Sequence, residues 1–306
     1  MSDRSKLTQS RPSGRLVARS ARVLAWCLTL LIVGSVGLVF QRIHRAYRLE
    51  MTGSRYALAD PYQAFEQGPA KPGKRVAILI DDLGPELDMA RGFWELEVPV
   101  TLAILPYQRY SQEVAREAVR HGKEVLLHLP LQPREYPAVN PGAGSLLLAM
   151  DREGIQAEIA AQLDSLPHCV GVSSHMGSRF TEQRQAMSWV LSVLRERNLF
   201  FVDSMTTPDS VARSVATESG VPFARRTHFL DLEKTEEAII RQLLRLAEDA
   251  VREGGAIGIA HPSAETLAAL PKVAAGFSEK GVRLVPVSEM VSSPRFSGST
   301  LLRAGG

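Results

Sequence analysis

The sequence predicts an α/β protein whose parallel strands form a closed or partly open β/α barrel. From Arg75 onward, apolar runs of strand length alternate with amphipathic helical stretches, which is typical of repeated β/α units around a parallel sheet. About eight such units lie between residues 75 and 290, a size that suits a single β/α barrel domain. A doubly wound open sheet shows the same alternation and is the alternative.

The first strand gives the strongest support for this interpretation. Val76–Ile80 is an unbroken apolar run rich in β-branched side chains, which indicates a strand buried on both faces. The other strands are predicted at Val98–Leu105, Glu124–Leu131, Val170–Ser174, Leu199–Val202, Pro222–Leu230, Ala256–Ala260 and Val282–Val287. Between them, one-sided apolar patterns predict helices at Gln183–Arg197 and from near Thr235.

The N-terminal residues predict attachment to a membrane. Val23–Gln41 carries no charge and, at about 1.5 Å per residue, is long enough to cross a bilayer as a helix. Because residues 1–22 are basic, we expect them in the cytoplasm and the body of the chain on the periplasmic side of the inner membrane. A linker at residues 42–74 and a flexible tail at 291–306 complete the expected organisation. A cleaved signal peptide, which would leave a secreted protein, is the alternative.

Composition argues against two other classes of protein. The net charge is only +3, many basic residues lie in the first fifty positions, and no basic stripe interleaved with aromatics follows. We therefore expect no nucleic-acid partner. The two cysteines, Cys27 and Cys169, are far apart in sequence, which argues against a disulfide framework and against a cysteine-based zinc site.

Side chains suited to catalysis or metal binding fall at the ends of the predicted strands. In chain order they are Asp81, Asp82, His128, His175, Asp203 and His261. In a parallel β/α fold, the carboxyl ends of all strands lie on the face that holds the active site, so we expect these residues to converge there. A simpler interpretation of the Asp81–Asp82 pair is a polar turn that caps the helix after Pro85.

Two imidazoles and one carboxylate can hold a divalent ion and leave a fourth position for water. We expect Asp82, His128 and His175 to be the ligands, and zinc to be the metal. Asp81 would take a proton from the metal-bound water, and His261 would protonate a leaving amine.

Two further residues are candidates for supporting roles. Asp203 would orient one of the imidazoles or fix the substrate. Arg179 follows His175 closely and would hold a carboxylate or a sugar oxygen, although an ordinary surface arginine is an equal alternative. The long loop Gln132–Ala149, rich in proline and glycine, is expected at the rim of the site.

Four short motifs resemble those of the divergent polysaccharide deacetylases, a branch of the carbohydrate esterases that includes chitin and peptidoglycan deacetylases. The motifs are Ile80-Asp81-Asp82-Leu83-Gly84, His128-Leu129-Pro130-Leu131-Gln132-Pro133, Ser174-His175-Met176-Gly177-Ser178 and Ala260-His261-Pro262. The resemblance extends from Lys74 to about Met290 and implies a distorted β/α barrel of about seven to eight parallel strands. It also implies zinc or another divalent ion, with Asp81 as general base, Asp82 as a metal ligand and His261 as general acid.

The sequence departs from the family pattern at two points. Typical members supply both histidine ligands from one His-x-x-x-His loop, but the first place of that pattern, counted back from His175, holds Gly171. His128 and His175 would then come from separate strands. The arginine-and-proline substrate motif of the family is also missing.

The leading hypothesis is a metal-dependent hydrolase that removes N- or O-acetyl groups from a cell-envelope polysaccharide, such as a peptidoglycan-like glycan, by attack of a metal-bound water. The alternative is a catalytically inactive envelope protein that binds glycan or a partner through the same cleft, because a fold alone does not establish an activity. Metal-dependent hydrolysis of a different bond is a third possibility.

Overall fold

The computed structural model describes residues 73–166 and 168–292. The predicted cytoplasmic segment, the membrane helix, nearly all of the linker and most of the tail lie outside these ranges. Within them, none of the helices has both the length and the apolar composition that a membrane span requires.

Nine strands alternate with helices along this part of the chain. The strands are β1 (Lys74–Leu83), β2 (Thr101–Ile104), β3 (Glu124–Leu131), β4 (Gly171–Met176), β5 (Phe200–Asp203), β6 (Phe223–Arg225), β7 (His228–Phe229), β8 (Gly255–Ala260) and β9 (Val282–Leu284). The helices are α1 (Leu87–Glu95), α2 (Ser111–Arg120), α3 (Arg152–Ser165), α4 (Arg184–Glu196), α5 (Ala212–Ser219), α6 (Glu236–Glu253) and α7 (Ala264–Glu279). Short 3₁₀ turns lie at Phe180–Glu182 and Val287–Met290.

All pairings between these strands are parallel, and they form one curled sheet. The order across the sheet is β6-β5-β4-β3-β2-β1-β8-β7, and β9 pairs with the start of β1. No pairing between β6 and β7 occurs in the described ranges. The described part of the chain is therefore a parallel half-barrel, which agrees with the partly open barrel predicted from sequence.

The packing of β1 distinguishes this architecture from a doubly wound sheet. Val76, Ile78 and Ile80 belong to a large core that includes residues from every described α-helix. Ala77 and Leu79 point to the opposite face, where they join a smaller core formed by strand residues and the segment after β9. A doubly wound sheet has helices on both faces. Here the α-helices cover one face only, so the second face is the interior of the barrel.

Three of the described helices begin at a side-chain cap, and one of them is a helix that the sequence predicted. Asp151, Thr235 and Ser263 each accept a hydrogen bond from the backbone N–H three residues later, at the starts of α3, α6 and α7. The helix predicted near Thr235 is α6, and the one predicted at Gln183–Arg197 is α4.

The single strand predicted at Pro222–Leu230 is wrong, because the segment contains two short strands on opposite edges of the sheet. At Arg226 the backbone N–H still donates to the carbonyl of Asp203 on the β5 side (3.0 Å). At Thr227 it donates instead to Ile257 of β8 (2.8 Å). The chain thus crosses the open side of the half-barrel between β6 and β7. A continuous apolar run does not reveal such a change of partner.

Candidate metal centre

Asp81 and Asp82 lie where β1 becomes irregular. The pairing of β1 with β2 shifts in register between Ile80 and Leu83, and Asp82 has a positive φ of 58°. Positive φ is uncommon for a residue other than glycine, and a bulge of this kind turns side chains away from their regular alternation. Asp81 keeps the inward direction of Leu79, and the bulge brings Asp82 alongside it at the same mouth of the barrel.

The two imidazoles come from neighbouring strands. In the pairing of β3 with β4, His128 lies opposite Ser173 and Pro130 lies opposite His175. His128 Nδ1 is 2.7 Å from Ser173 Oγ, and both side chains are buried. A proton on Nδ1 that is donated to this hydroxyl leaves Nε2 of His128 free as a ligand atom.

Three potential ligand atoms converge at one point. Asp82 Oδ1 is 3.0 Å from His128 Nε2 and 2.8 Å from His175 Nδ1, and the two ring nitrogens are 3.2 Å apart. Ligands about 2.0–2.1 Å from a tetrahedral zinc ion lie about 3.3 Å from one another, so a small adjustment accommodates the ion. Asp82 Oδ1 is also a buried oxygen without a hydrogen bond of normal geometry to another described residue. These residues therefore fit a divalent metal ion, and among the described residues they are the group with suitable spacing.

Protonation at this site favours metal binding. Burial lowers the pKa of His128 to about 4, although Asp82 acts in the opposite direction, so the imidazole is neutral near pH 7. Burial alone would raise the pKa of Asp82, but its contacts with His128 and His175 lower it overall. A neutral imidazole and an ionised carboxylate are the forms that coordinate metals.

Asp81 is placed and tuned differently from Asp82. It is 2% exposed, its Oδ1 lies 3.6 Å from His128 Nδ1, and this oxygen has no hydrogen bond within the described ranges. Burial and the charge of Asp82 raise the pKa of Asp81 well above the usual aspartate value. The hydroxyl of Ser204 lies nearby and favours the ionised form, although it makes no hydrogen bond of normal geometry. A raised pKa makes this carboxylate a stronger base.

His261 lies beside the cluster, directly after β8. Its Nε2 is 3.8 Å from Asp82 Oδ2, and its Nδ1 is 3.0 Å from Asp231 Oδ2. The backbone N–H of His261 also donates to Asp231 Oδ2 (2.7 Å). Burial alone would lower the pKa of His261, but Asp231, together with Asp82 and Asp81, raises it to about 9.

Sequence reasoning missed Asp231 and chose Asp203 for a similar role. Both oxygens of Asp203 are occupied in its own loop, because Oδ1 accepts from the Met205 backbone (2.8 Å) and Oδ2 from the Ser210 hydroxyl (2.6 Å). Asp203 thus fixes the loop after β5, and the structure shows no contact of its carboxylate with a site imidazole among the described residues. A usable signal existed, since Asp231 directly follows the end of the predicted strand Pro222–Leu230.

Arg179 is not brought into contact with the metal cluster. Its side chain is exposed and makes no hydrogen bond or ion pair in the described ranges, while its backbone N–H donates to the Gln132 carbonyl (3.3 Å). The long loop that begins at Gln132 does lie at the rim. Its Arg134 pairs with Glu182 and Asp209, which follow β4 and β5 at the carboxyl edge of the sheet.

The packing around Gly171 explains why the first place of the His-x-x-x-His pattern holds no histidine. A Cβ at Gly171 would lie 2.5–2.7 Å from three ring atoms of Phe200, which is itself fully buried. No larger side chain fits at this position without displacing the ring. His128 on β3 supplies an imidazole from the adjacent strand instead.

The half-barrel and its three-ligand cluster define a class of α/β protein with a candidate metal centre at the carboxyl ends of its strands. The family model of the divergent polysaccharide deacetylases matches residues 78–291, which is nearly all of the described chain. The chain belongs to this family.

The chain is also similar to proteins of three bacteria. An uncharacterized protein of Haemophilus influenzae is 33% identical over 196 residues, which cover 64% of this chain and 69% of that protein. The uncharacterized protein YibQ of Escherichia coli is 31% identical over 232 residues, which cover 76% of this chain and 72% of that protein. The crystal structure of an uncharacterized protein of Agrobacterium tumefaciens C58 is similar with a TM-score of 0.71 at 29% identity, and the match covers 76% of this chain and 94% of that one.

Proposed function

We propose that this protein is a metal-dependent hydrolase that removes N- or O-acetyl groups from a cell-envelope polysaccharide. One observation carries the proposal: the donor atoms of Asp82, His128 and His175 meet within 4.8 Å of one another, and Asp81 and His261 lie next to this cluster. Membership of a polysaccharide deacetylase family supports a glycan as the substrate.

The mixed donor set of two nitrogens and one carboxylate oxygen suits zinc, which we propose as the bound ion. A divalent ion held by these three residues would polarise the acyl carbonyl and lower the pKa of a water molecule. Both effects act where negative charge develops during hydrolysis of an amide or ester.

Side chains of the protein would then act as general base and general acid. Asp81, whose pKa is raised by burial and by Asp82, accepts the proton of the attacking water. His261 has a pKa of about 9 and is therefore protonated near neutral pH, so it can donate a proton to the departing amine or hydroxyl. Asp231 fixes the orientation of that imidazole through Nδ1 and leaves Nε2 facing the metal cluster.

The proposed location is the periplasmic side of the inner membrane. The uncharged segment Val23–Gln41, preceded by basic residues, supports a single N-terminal anchor. An envelope polysaccharide would be within reach of a domain held there by the linker at residues 42–74.

Substitutions of the two neighbouring aspartates test this division of roles. We expect Asp81→Asn to keep stoichiometric metal and to lose acetate release, and Asp82→Asn to lose both. Asp88→Asn, which changes an exposed carboxylate on α1, is the matched control and should change neither. The measurements are metal content by mass spectrometry and acetate release from acetylated oligosaccharides.

Equal loss of metal in Asp81→Asn and Asp82→Asn would show that the roles of the pair are assigned wrongly. Wild-type protein without detectable metal would refute the enzymatic proposal and leave a glycan-binding protein. Stoichiometric metal without acetate release would indicate hydrolysis of a different bond.

A further inference from the structure

An open cavity lies on the open side of the half-barrel, where the chain passes from β6 to β7. It has a volume of about 470 Å³ and is lined by Met205, Pro208, Arg225, Arg226 and Thr227. This volume is within the range of small-molecule sites. Arg225 ends β6 and Thr227 immediately precedes β7, so the cavity occupies the gap between these two strands. We call it the arginine cavity.

Both ionisable side chains that line the arginine cavity are cationic. Arg225 is exposed, and its guanidinium makes no hydrogen bond or ion pair within the described ranges. Arg226 donates from Nε to the Ser204 carbonyl (2.6 Å) and from Nη2 to the Met205 carbonyl (2.8 Å). Its Nη1 has no hydrogen bond to a described residue. The neighbouring acid, Asp203, is buried, and its oxygens are occupied by its own loop. Donors for an anion therefore remain available.

A stack of side chains connects this cavity to the metal centre. The guanidinium carbon of Arg226 is 3.6 Å from the ring centroid of Phe229. The ring of Phe229 in turn lies 6.2 Å from that of His261, with an angle of 23° between their planes. Arg226 also interacts electrostatically with Asp81. One aromatic ring thus separates the cationic cavity from the proposed general acid, so one polymer chain can reach both.

We propose that the arginine cavity binds a carboxylate carried by a sugar of the glycan, so that the preferred substrate is an acidic polysaccharide. This inference rests on the function proposed for the metal centre. Guanidinium groups are weakly hydrated and bind carboxylates in a planar, often bidentate arrangement. A neutral glycan would gain nothing from two cations at this position, whereas an acidic sugar beside the acetylated one would place its charge there.

The test compares two tetrasaccharides of equal length on full-length protein carrying Asp81→Asn, which prevents turnover. Hyaluronan tetrasaccharide alternates glucuronate with N-acetylglucosamine, and chitotetraose contains N-acetylglucosamine only. We expect hyaluronan to bind about tenfold more tightly at low ionic strength, and the preference to decrease as salt is added. Calorimetry measures both affinities without any need for acetate release.

Arg225→Gln should abolish the preference for hyaluronan and leave the affinity for chitotetraose unchanged. The matched control is Arg116→Gln, which removes an exposed arginine of α2 and should preserve the preference. Hyaluronan binding no tighter than chitotetraose binding, or an equal loss in both variants, would overturn the inference. Because binding is measured without turnover, absence of acetate release would refute the proposed hydrolase while leaving this result intact.

Discussion

Ser173→Ala should weaken metal binding although Ser173 is not itself a ligand. The Ser173 hydroxyl lies 2.7 Å from His128 Nδ1, and the two side chains are 0% and 2% exposed, so bulk water cannot replace the lost partner. Hydrogen bonds that orient a ligating imidazole typically change metal affinity by about 10- to 100-fold, which is about 1.4–2.7 kcal/mol. The same change leaves a buried N–H of His128 unpaired, which costs about 1–3 kcal/mol of metal-free stability.

Two measurements check this prediction on the same protein. Competition with a fluorescent zinc chelator gives the metal affinity, and urea unfolding of the metal-free protein gives the free energy of unfolding. Ser188→Ala, which removes a partly exposed hydroxyl on α4, is the control and should alter neither quantity appreciably. A zinc affinity of Ser173→Ala equal to that of wild type would refute the idea that this hydroxyl orients His128.

Two further predictions concern Gly171 and Cys169. Gly171→Ala should lower the free energy of unfolding by about 1–3 kcal/mol, because the new methyl group meets the buried ring of Phe200. The control Gly276→Ala, in open space on α7, should raise it slightly. Urea unfolding measures both, and a wild-type midpoint for Gly171→Ala would contradict the packing argument. Burial against the core raises the pKa of the Cys169 thiol to about 12, so in a Cys27→Ser background its reaction with a disulfide reagent should be slow at pH 8 and accelerate about tenfold per pH unit. A rate that levels off near pH 9 would contradict this.

In a parallel β/α fold, side chains at the carboxyl ends of the strands converge on one face, and this strand-end rule located most of the candidate site from sequence alone. The apolar run of β1 and the periodic patterns that follow it identified parallel strands, and the rule then selected Asp81, Asp82, His128, His175, Asp203 and His261. All of these except Asp203 meet at one mouth of the half-barrel. The rule worked because parallel strands place their carboxyl ends on one face whatever the order of the strands in the sheet.

Asp203 also lies at a strand end, but its carboxylate contacts none of the site imidazoles in the described ranges, because side chains at a strand end alternate between two faces. Phe200 and Val202 point into the barrel interior, while Phe201 belongs to the outer, helix-covered core. Asp203, the next residue after Val202, falls on the outer side by alternation and fixes its own loop. Which of the two alternating sets of side chains faces the barrel interior depends on how the sheet curls. A run of four apolar residues does not reveal this.

Asp231 was missed for a different reason, which is the crossing of the open side of the barrel. The position of Asp231 directly after the predicted strand Pro222–Leu230 marked it as a strand-end residue. With that segment taken as one strand, however, nothing indicated that Asp231 would lie beside β8. The backbone of Thr227 leaves the β6 edge and pairs with Ile257, which brings the following residues to the neighbour of β1. The Asp231 carboxylate then accepts a hydrogen bond from the backbone N–H of His261 and lies within hydrogen-bond distance of His261 Nδ1. Long-range pairing of this kind has no local sequence signal.

The position of the histidine ligands shows how one packing choice constrains the metal centre. The inner face of β4 carries Gly171, Ser173 and His175 in alternation, and Phe200 fills the space above the glycine. A ligand at Gly171 would require removing that ring from the small inner core. In the register of β3 with β4, His128 instead lies opposite Ser173, one inward position closer to His175. The ion site can therefore be completed from the adjacent strand while Phe200 stays buried, and Ser173, between the two positions, becomes available to orient the imidazole of His128.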